Sequence, residues 1–485
     1  MKGQLLTLAK QTLVYGVSSA ALQLVGIVTL PVFARSFSPS EYGVLEIATV
    51  GLSAMLVIAD LGMASASQRS YFDYTDEDVE QRRSVLATAL ATALGAASLL
   101  AVLLILNREA IADAVLHDRD QADVVVLVAL ALPLSILASL QREVMRLRFM
   151  AWSYTFSATS AAVVAAALAI WLVVGTDSGI EGVLIGVVAG NAVATLYGLV
   201  VTFRFFGLHF SRRELKVMLA FGLPLVPAVA AMWGLAFFDR VMIGSLADLD
   251  ELGQYAVGAR FASVLMLAVT AFGLAYIPFM LSMFSEDPEL EMQVRSRTLT
   301  YVAIVLTSLS LALALFAREV ATIVAPGYTE AYQVVGVLCL GVTIFGLSSI
   351  TMAGISFVRR TGYFGAYSGI ALVVNVALNF VLIPLLGGFG AALATAIAYA
   401  TLTSLSYRKA QALYPTPYEP RKTLIVLATC AALMPLGFLP LGIGYFALKL
   451  LALAAFAGML ALGRVFDREE LAEMRALTGR LSPSR

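Results

Sequence analysis

The sequence predicts an all-α integral membrane protein of about 14 transmembrane helices, built as two six-helix lobes in a parallel pseudo-twofold repeat plus an extra C-terminal helix pair. Three observations predict it. Hydrophobic residues are 60% of the 485, charged residues are 13%, and the mean hydropathy is +0.88, which excludes an ordinary globular domain. The apolar residues fall into blocks of about 20, long enough to cross the ~30 Å hydrocarbon layer as helices. Arginine and lysine collect in alternate gaps between those blocks, as they do when positive charge resists transfer across a membrane.

The blocks, in order, are roughly 12–34, 43–64, 85–106, 122–141, 155–175, 180–203, 217–238, 255–281, 299–317, 331–357, 364–386, 389–407, 423–441 and 443–463. Helices are the expected form, because backbone groups in lipid must bond within their own segment. With the N-terminus inside, the inner segments hold 25 basic residues and the outer segments five: Arg35, Arg108, Arg119, Arg240 and Arg318. This asymmetry places both termini in the cytoplasm. The short gap at Pro440–Gly442 makes the last two spans the least distinct, and a re-entrant pair there leaves the termini where they are.

A repeat supports the two lobes. Glu41-Tyr42-Gly43 opens the second span and Glu251-Leu252-Gly253 opens the eighth, 210 residues later. Gly182 and Gly390, in similar Gly-rich starts of the sixth and twelfth spans, are offset by 208. Six spans per repeat give both lobes one orientation, so their axis runs along the membrane normal and a cleft lies between them. The expected division is residues 1–213 for the first lobe, 214–415 for the second, 416–463 for the last pair and 464–485 for a cytoplasmic tail.

Net charge is zero, so no basic excess points to nucleic acid. Cys339 and Cys430 both lie in apolar blocks, and with His117 and His209 they form neither a disulfide framework nor a metal-ligand spacing. No cofactor is expected. The first block lacks a small-residue cleavage site and reads as a retained helix.

Ionisable groups within spans cost about 2.5–3.5 kcal/mol each on insertion scales, so each needs a reason. Arg260 lies about one and a half turns into the eighth span; it either faces the cleft and binds an anion or snorkels to the outer headgroups. Arg35 and Arg240 close the outer ends of the first and seventh spans, in related places of the two lobes, as anion ligands or interface anchors. Asp60, taken as the one acidic residue securely within the membrane, is a candidate for proton or sodium coupling or a structural partner of Arg69. Asn375 and Asn379 share a face of the eleventh span, as interhelical glue or substrate contacts. Lys449 is expected to snorkel. Pro31, Pro224, Pro227 and Pro278 would bend the first, seventh and eighth spans, which suits rocking between two states.

Several stretches resemble the polysaccharide transporter branch of the multidrug/oligosaccharidyl-lipid/polysaccharide exporter superfamily. They are Phe33-Ala34-Arg35-Ser36-Phe37-Ser38-Pro39-Ser40-Glu41-Tyr42-Gly43, then Phe221-Gly222-Leu223-Pro224-Leu225-Val226-Pro227 with Asp239-Arg240-Val241-Met242-Ile243-Gly244. Further along come Leu378-Asn379-Phe380-Val381-Leu382-Ile383-Pro384, Gly390-Ala391-Ala392-Leu393-Ala394-Thr395 and Tyr414-Pro415. The resemblance implies a bacterial inner-membrane flippase for polyprenyl-pyrophosphate-linked oligosaccharides, driven by an ion gradient, with membrane lipids as surroundings and a glycan polymerase or glycosyltransferases as candidate partners. It also implies arginines that bind the pyrophosphate: Arg35, Arg240 and Arg69 match family positions, and Arg260 keeps the charge where a lysine is common. Guanidinium suits that task as a planar donor fork.

Three other classes remain open at this stage, one of them a non-transporting scaffold that recruits assembly enzymes. A multidrug antiporter of the same superfamily would need an acidic cleft. A membrane enzyme of glycan assembly would need a long outer platform, and the longest outer segment, Asn107–Gln121, is short and charged like a solvated turn.

Overall fold

The computed structural model describes residues 21–462 except positions 76, 208, 359 and 361, and, within one helix, the side chains of 275, 277, 278, 281 and 285. The tail from Arg464, the first lysines and the side chain of Pro278 therefore lie outside the described residues. Among the described residues there is no strand. Twelve helices among the described residues are long and apolar enough to cross a membrane, so this is a multi-pass membrane protein.

The helices are α1 (Ala21–Ser36), α2 (Pro39–Phe72), α3 (Val79–Leu106), α4 (Ala122–Leu147), α5 (Ala151–Thr176) and α6 (Gly179–Thr202) in the first lobe. The second lobe has α7 (Arg212–Leu246), α8 (Leu249–Glu286), α9 (Pro288–Val324), α10 (Tyr332–Phe357) and α11 (Gly362–Leu413). The pair α12 (Pro420–Phe438) and α13 (Ile443–Leu462) follows. The 52-residue α11 holds the eleventh and twelfth spans, because Gly387 (φ +57°) turns the chain between them.

Each break in a helix has a local cause. In α2 the piece Pro39–Asp60 ends at Leu61 in the left-handed region, and Gly62 at φ +73° starts Met63–Phe72. Asp60 accepts the Ala64 amide at 3.2 Å, which satisfies one orphan donor of the new start. In α7, Pro224 and Pro227 begin new helical pieces after Gly222, where a missing N–H costs nothing. The two breaks touch: a Cβ on Gly62 would stand 2.5 Å from the Gly222 carbonyl oxygen.

The lobes also meet at the arginine-poor end, through α2 and α8. A Cβ on Gly43 would stand 2.0 Å from the Leu249 carbonyl oxygen, and one on Gly253 would stand 1.9 Å from that of Pro39. The two Glu-x-Gly turns thus put each helix's glycine on the first residue of the other helix. Their N-caps correspond too, Ser38 receiving the Glu41 amide and Asp248 the Glu251 amide. The glutamates then diverge. Glu41 closes a capping box on Ser38, while Glu251 accepts the Gly388 amide at 2.6 Å and ties α8 to the turn in α11.

Lys449 departs from the snorkelling expected of it. It is fully buried and bonds both oxygens of Glu319 at 2.7 and 3.0 Å, fastening α13 to α9. A bidentate ion pair is the better partner for an ammonium held away from water.

Candidate functional site: an ion cluster between the lobes

Tyr42 and Glu46 are one helical turn apart on α2, so they share a face. That face meets α7 and α8 of the second lobe, and buried Glu46 lies between two arginines. Arg240 of α7 donates from Nε to Glu46 Oε1 at 2.7 Å. Arg260 of α8 approaches Glu46 Oε2 at 3.8 Å and lies within hydrogen-bonding reach of the Tyr42 hydroxyl. One carboxylate of the first lobe therefore bridges two guanidinium groups of the second.

The arginines are held differently. Arg240 is also paired with Asp239 at 3.0 Å, donates to the Ala236 carbonyl and lies over the Phe237 and Tyr255 rings. Its side chain is 13% exposed, against 47% for Arg260. Arg260 reaches toward Gly26 of α1 and borders a cavity of about 430 Å³ between α1, α8 and α9. The rest of that lining is apolar, including Ile27, Leu30, Phe261, Phe316 and Val320. A partly free guanidinium at the edge of an apolar cavity suits an anion attached to a hydrocarbon chain.

A buried polar chain leads from the cluster into the second lobe. Asp239 Oδ2 accepts from the Tyr255 hydroxyl and, at 3.4 Å, from that of Thr395. Thr395 Oγ1 accepts from Asn375 Nδ2 at 3.2 Å, and Asn375 Oδ1 accepts from Asn379 Nδ2 at 3.0 Å. Asn379 Oδ1 has no hydrogen-bond partner among the described residues. This is an oxygen-rich set within one lobe, of a kind that suits a proton or a monovalent cation. Among the described residues no group of three or more His, Cys, Asp or Glu could hold a metal ion.

The structure brings together Arg240, Arg260, Asn375 and Asn379 of the residues singled out from sequence, and leaves three apart. Arg35 is exposed and donates to the Ile323 carbonyl at 2.8 Å, at the C-terminal end of α9 where a cation is favoured. It does not occupy a place related to that of Arg240, which lies six residues before the end of α7 and is desolvated by both lobes. Arg69 stands over the Phe221 ring, 4.6 Å from its centroid, near the Gly62–Gly222 contact. Asp60 caps the helix restart there, without an ion pair to Arg69 among the described ones.

Glu46 is the residue of the cluster that the sequence reasoning missed, and it corrects the view of Asp60 as the one secure acidic residue in the spans. A signal existed: Glu46 falls inside the second apolar block, one turn beyond Tyr42 of the repeated motif. Nothing local, however, pairs it with an arginine 194 residues away.

Two six-helix lobes that meet over a buried ion cluster give a multi-pass membrane protein with the fold of the multidrug/oligosaccharidyl-lipid/polysaccharide exporter superfamily. The solved inward closed conformation of the lipid II flippase MurJ has this fold, with a TM-score of 0.75 at 13% identity over 94% of this chain and 99% of that one. An inward-facing multidrug resistance MATE family transporter has it too, with a TM-score of 0.67 at 13% identity over 80% of this chain and 94% of that one. The chain belongs to the family described as "Polysaccharide biosynthesis protein", whose model matches residues 8–284. It is 24% identical over 278 residues to "Lsg locus putative protein 1" of Haemophilus influenzae, a match covering 56% of this chain and 65% of that relative, just under two thirds of its length.

Proposed function

We propose that the protein is a flippase for lipid-linked glycans, moving polyprenyl-pyrophosphate-linked oligosaccharide repeat units of an O-antigen, capsule or exopolysaccharide from the cytoplasmic to the outer leaflet of the bacterial inner membrane. The observation that carries this reading is Glu46 shared by Arg240 and Arg260, with Arg260 open to an apolar cavity. Glu46 acts as a resident anion. A pyrophosphate entering beside α1 takes up the loosely held Arg260 and competes for Arg240, while the polyprenyl chain stays in the apolar cavity or the bilayer. Displacing Glu46 removes an ionic tie between the lobes, and this couples substrate binding to their separation.

The arginine-rich end is the cytoplasmic one in this reading. The paired contacts Gly43–Leu249 and Gly253–Pro39 then seal the outer face, and alternating access requires them to part. Coupling to a proton or sodium gradient is assigned to Asp239 with Thr395, Asn375 and Asn379 rather than to Asp60, because that set adjoins Arg240 directly. Family membership, the neighbours' fold and the two cluster arginines favour an anionic glycolipid over a cationic drug. A glycan polymerase or glycosyltransferases would act on the delivered unit.

The test is translocation of a polyprenyl-pyrophosphate-linked oligosaccharide in proteoliposomes. Arg260→Ala and Glu46→Gln should each insert normally and lower the rate, Arg260→Ala by weakening substrate capture. Undiminished transport by Arg260→Ala would overturn the assignment of the site. Hydrolysis or elongation of the glycan by the purified protein would point to an enzyme instead.

A further inference from the structure

The arginine-rich end of the first lobe holds a second cavity that the transport cluster does not use. It measures about 1050 Å³ and lies among the ends of α2, α3, α4 and α6. Among the described residues Arg82, Arg83, Arg148 and Arg204 line it, no carboxylate does, and none of its wall comes from the second lobe. Its chemistry is therefore separate from that of the Glu46 cluster.

The four guanidinium groups are organised rather than scattered. Arg148 donates to the Tyr71 hydroxyl at 3.0 Å and stacks over Phe205, and Arg204 lies over the same ring. Arg83 donates to the Arg204 carbonyl at 3.1 Å, which ties α3 to the end of α6. Arg82 donates twice to the Tyr74 carbonyl and lies over the Tyr71 ring. Arg83 is also paired with the exposed Glu80, one turn away on the same helix, a pair that contributes little in water. Arg148, with one hydrogen bond to Tyr71, and Arg204, lying over Phe205, keep further guanidinium donors for a ligand.

The depth of the pocket indicates what fills it. Its rim carries Phe72 and Phe149, exposed by 58% and 63%, and the adjoining Trp152 is exposed by 75%. An exposed tryptophan at the end of a membrane helix settles at the headgroup level of a bilayer. Arginines gathered between helix ends at that depth face lipid phosphates, and the leaflet on the arginine-rich side is the anionic one. A soluble phosphate would have no use for the aromatic rim.

We propose that this pocket is a binding site for an anionic phospholipid headgroup of the adjacent leaflet, such as that of phosphatidylglycerol or cardiolipin. The phosphate sits between Arg148 and Arg204, with Arg83 nearby, and the acyl chains lie along Phe72 and Phe149. The bound headgroup links the ends of α4 and α6, which carry the two arginines. The site takes from the proposed reading only that the arginine-rich end is cytoplasmic, because none of its residues belongs to the interlobe cluster.

The experiment is native mass spectrometry of the full chain released from phosphatidylcholine nanodiscs doped with phosphatidylglycerol or cardiolipin. The wild-type protein should retain the anionic lipid in preference to phosphatidylcholine. Arg148→Gln/Arg204→Gln should lower that retention on the order of tenfold or more, since each lost cation near the surface weakens binding several-fold. Arg148→Lys/Arg204→Lys, which keeps the charge and guards against a folding defect, should lose less. Arg35→Gln, a charge removed elsewhere, should change nothing. Equal retention of the two lipid classes, or full retention by both double variants, overturns the proposal. Displacement of the lipid by millimolar inorganic pyrophosphate would assign the site to a soluble phosphate and overturn its lipid source.

Discussion

At the arginine-rich end of the first lobe Arg82, Arg83, Arg148 and Arg204 surround an open cavity, whereas at the same end of the second lobe Arg295 is fully buried. Arg295 is paired with Glu291 of its own helix at 2.9 Å and faces the rings of Phe357, Tyr414 and Tyr418, while Thr416 accepts a hydrogen bond from it. The chain leaving α11, Tyr414-Pro415-Thr416-Pro417-Tyr418, folds over this arginine and seals the end. The chain leaving α6 is tied to α3 through the Gly207 amide and the Arg83 carbonyl, and the end stays open. The difference shows how charge and shape go together. A lobe that closes its end can keep one arginine with one glutamate, because a buried ion needs a partner. A lobe that leaves its end open can keep the exposed Arg148 and Arg204 without an ion pair among the described residues, because solvent can meet them.

Breaking the sealed end should cost the most. Arg295→Ala leaves Glu291 buried without its cation and should lower stability by about 3–5 kcal/mol. Arg148→Ala in the open pocket should cost under about 1 kcal/mol, since that charge keeps its solvent. Thermal unfolding of both variants in one detergent measures the contrast, and equal losses would erase it.

The contact that the lobes share provides the next test. Gly43→Ala and Gly253→Ala each drive a Cβ against a backbone carbonyl, and each should cost about 1–3 kcal/mol. Because the two contacts are related by the pseudo-twofold axis, their effects should match. A cysteine placed at Leu252, buried in this state, should be labelled faster in either background. A large effect at one glycine and none at the other would mean the axis does not govern this face.

Smaller effects are expected further from the boundary between the lobes. Asn379→Ala removes one hydrogen bond of the buried chain and should cost about 1 kcal/mol, with the larger change in the ion dependence of transport. Arg35→Ala removes an exposed bond to the end of α9 and should stay within about 0.5 kcal/mol, with transport unchanged. A strong transport defect in Arg35→Ala would return that residue to the substrate path.

How far the site could be read from sequence varied residue by residue. Arg260 stood out as a charge inside an apolar block, and Asn375 with Asn379 stood out by helical spacing. Asp239 stands next to Arg240 in the sequence, but only the fold makes it the junction between Arg240, Tyr255 and Thr395. Lys449 looked like an end residue because its partner Glu319 lies 130 positions earlier. Arg35 and Arg240 looked equivalent because both follow apolar blocks. Their surroundings differ because α9 offers one of them a carbonyl, while α2 offers the other a carboxylate.

By itself, then, the amino-acid order determined the all-helical, membrane-spanning character of the chain and the paired Glu-x-Gly turns. These depend on local apolar length, on turn chemistry and on where charge meets water. Only the tertiary structure decided which buried charges meet, which end of which lobe is sealed, and where an arginine keeps free donors. Those outcomes follow from the rotation of each helix about its axis and the docking of one lobe on the other. Neither is encoded in any single span, because residues brought to hydrogen-bonding distance here lie more than a hundred positions apart in the chain.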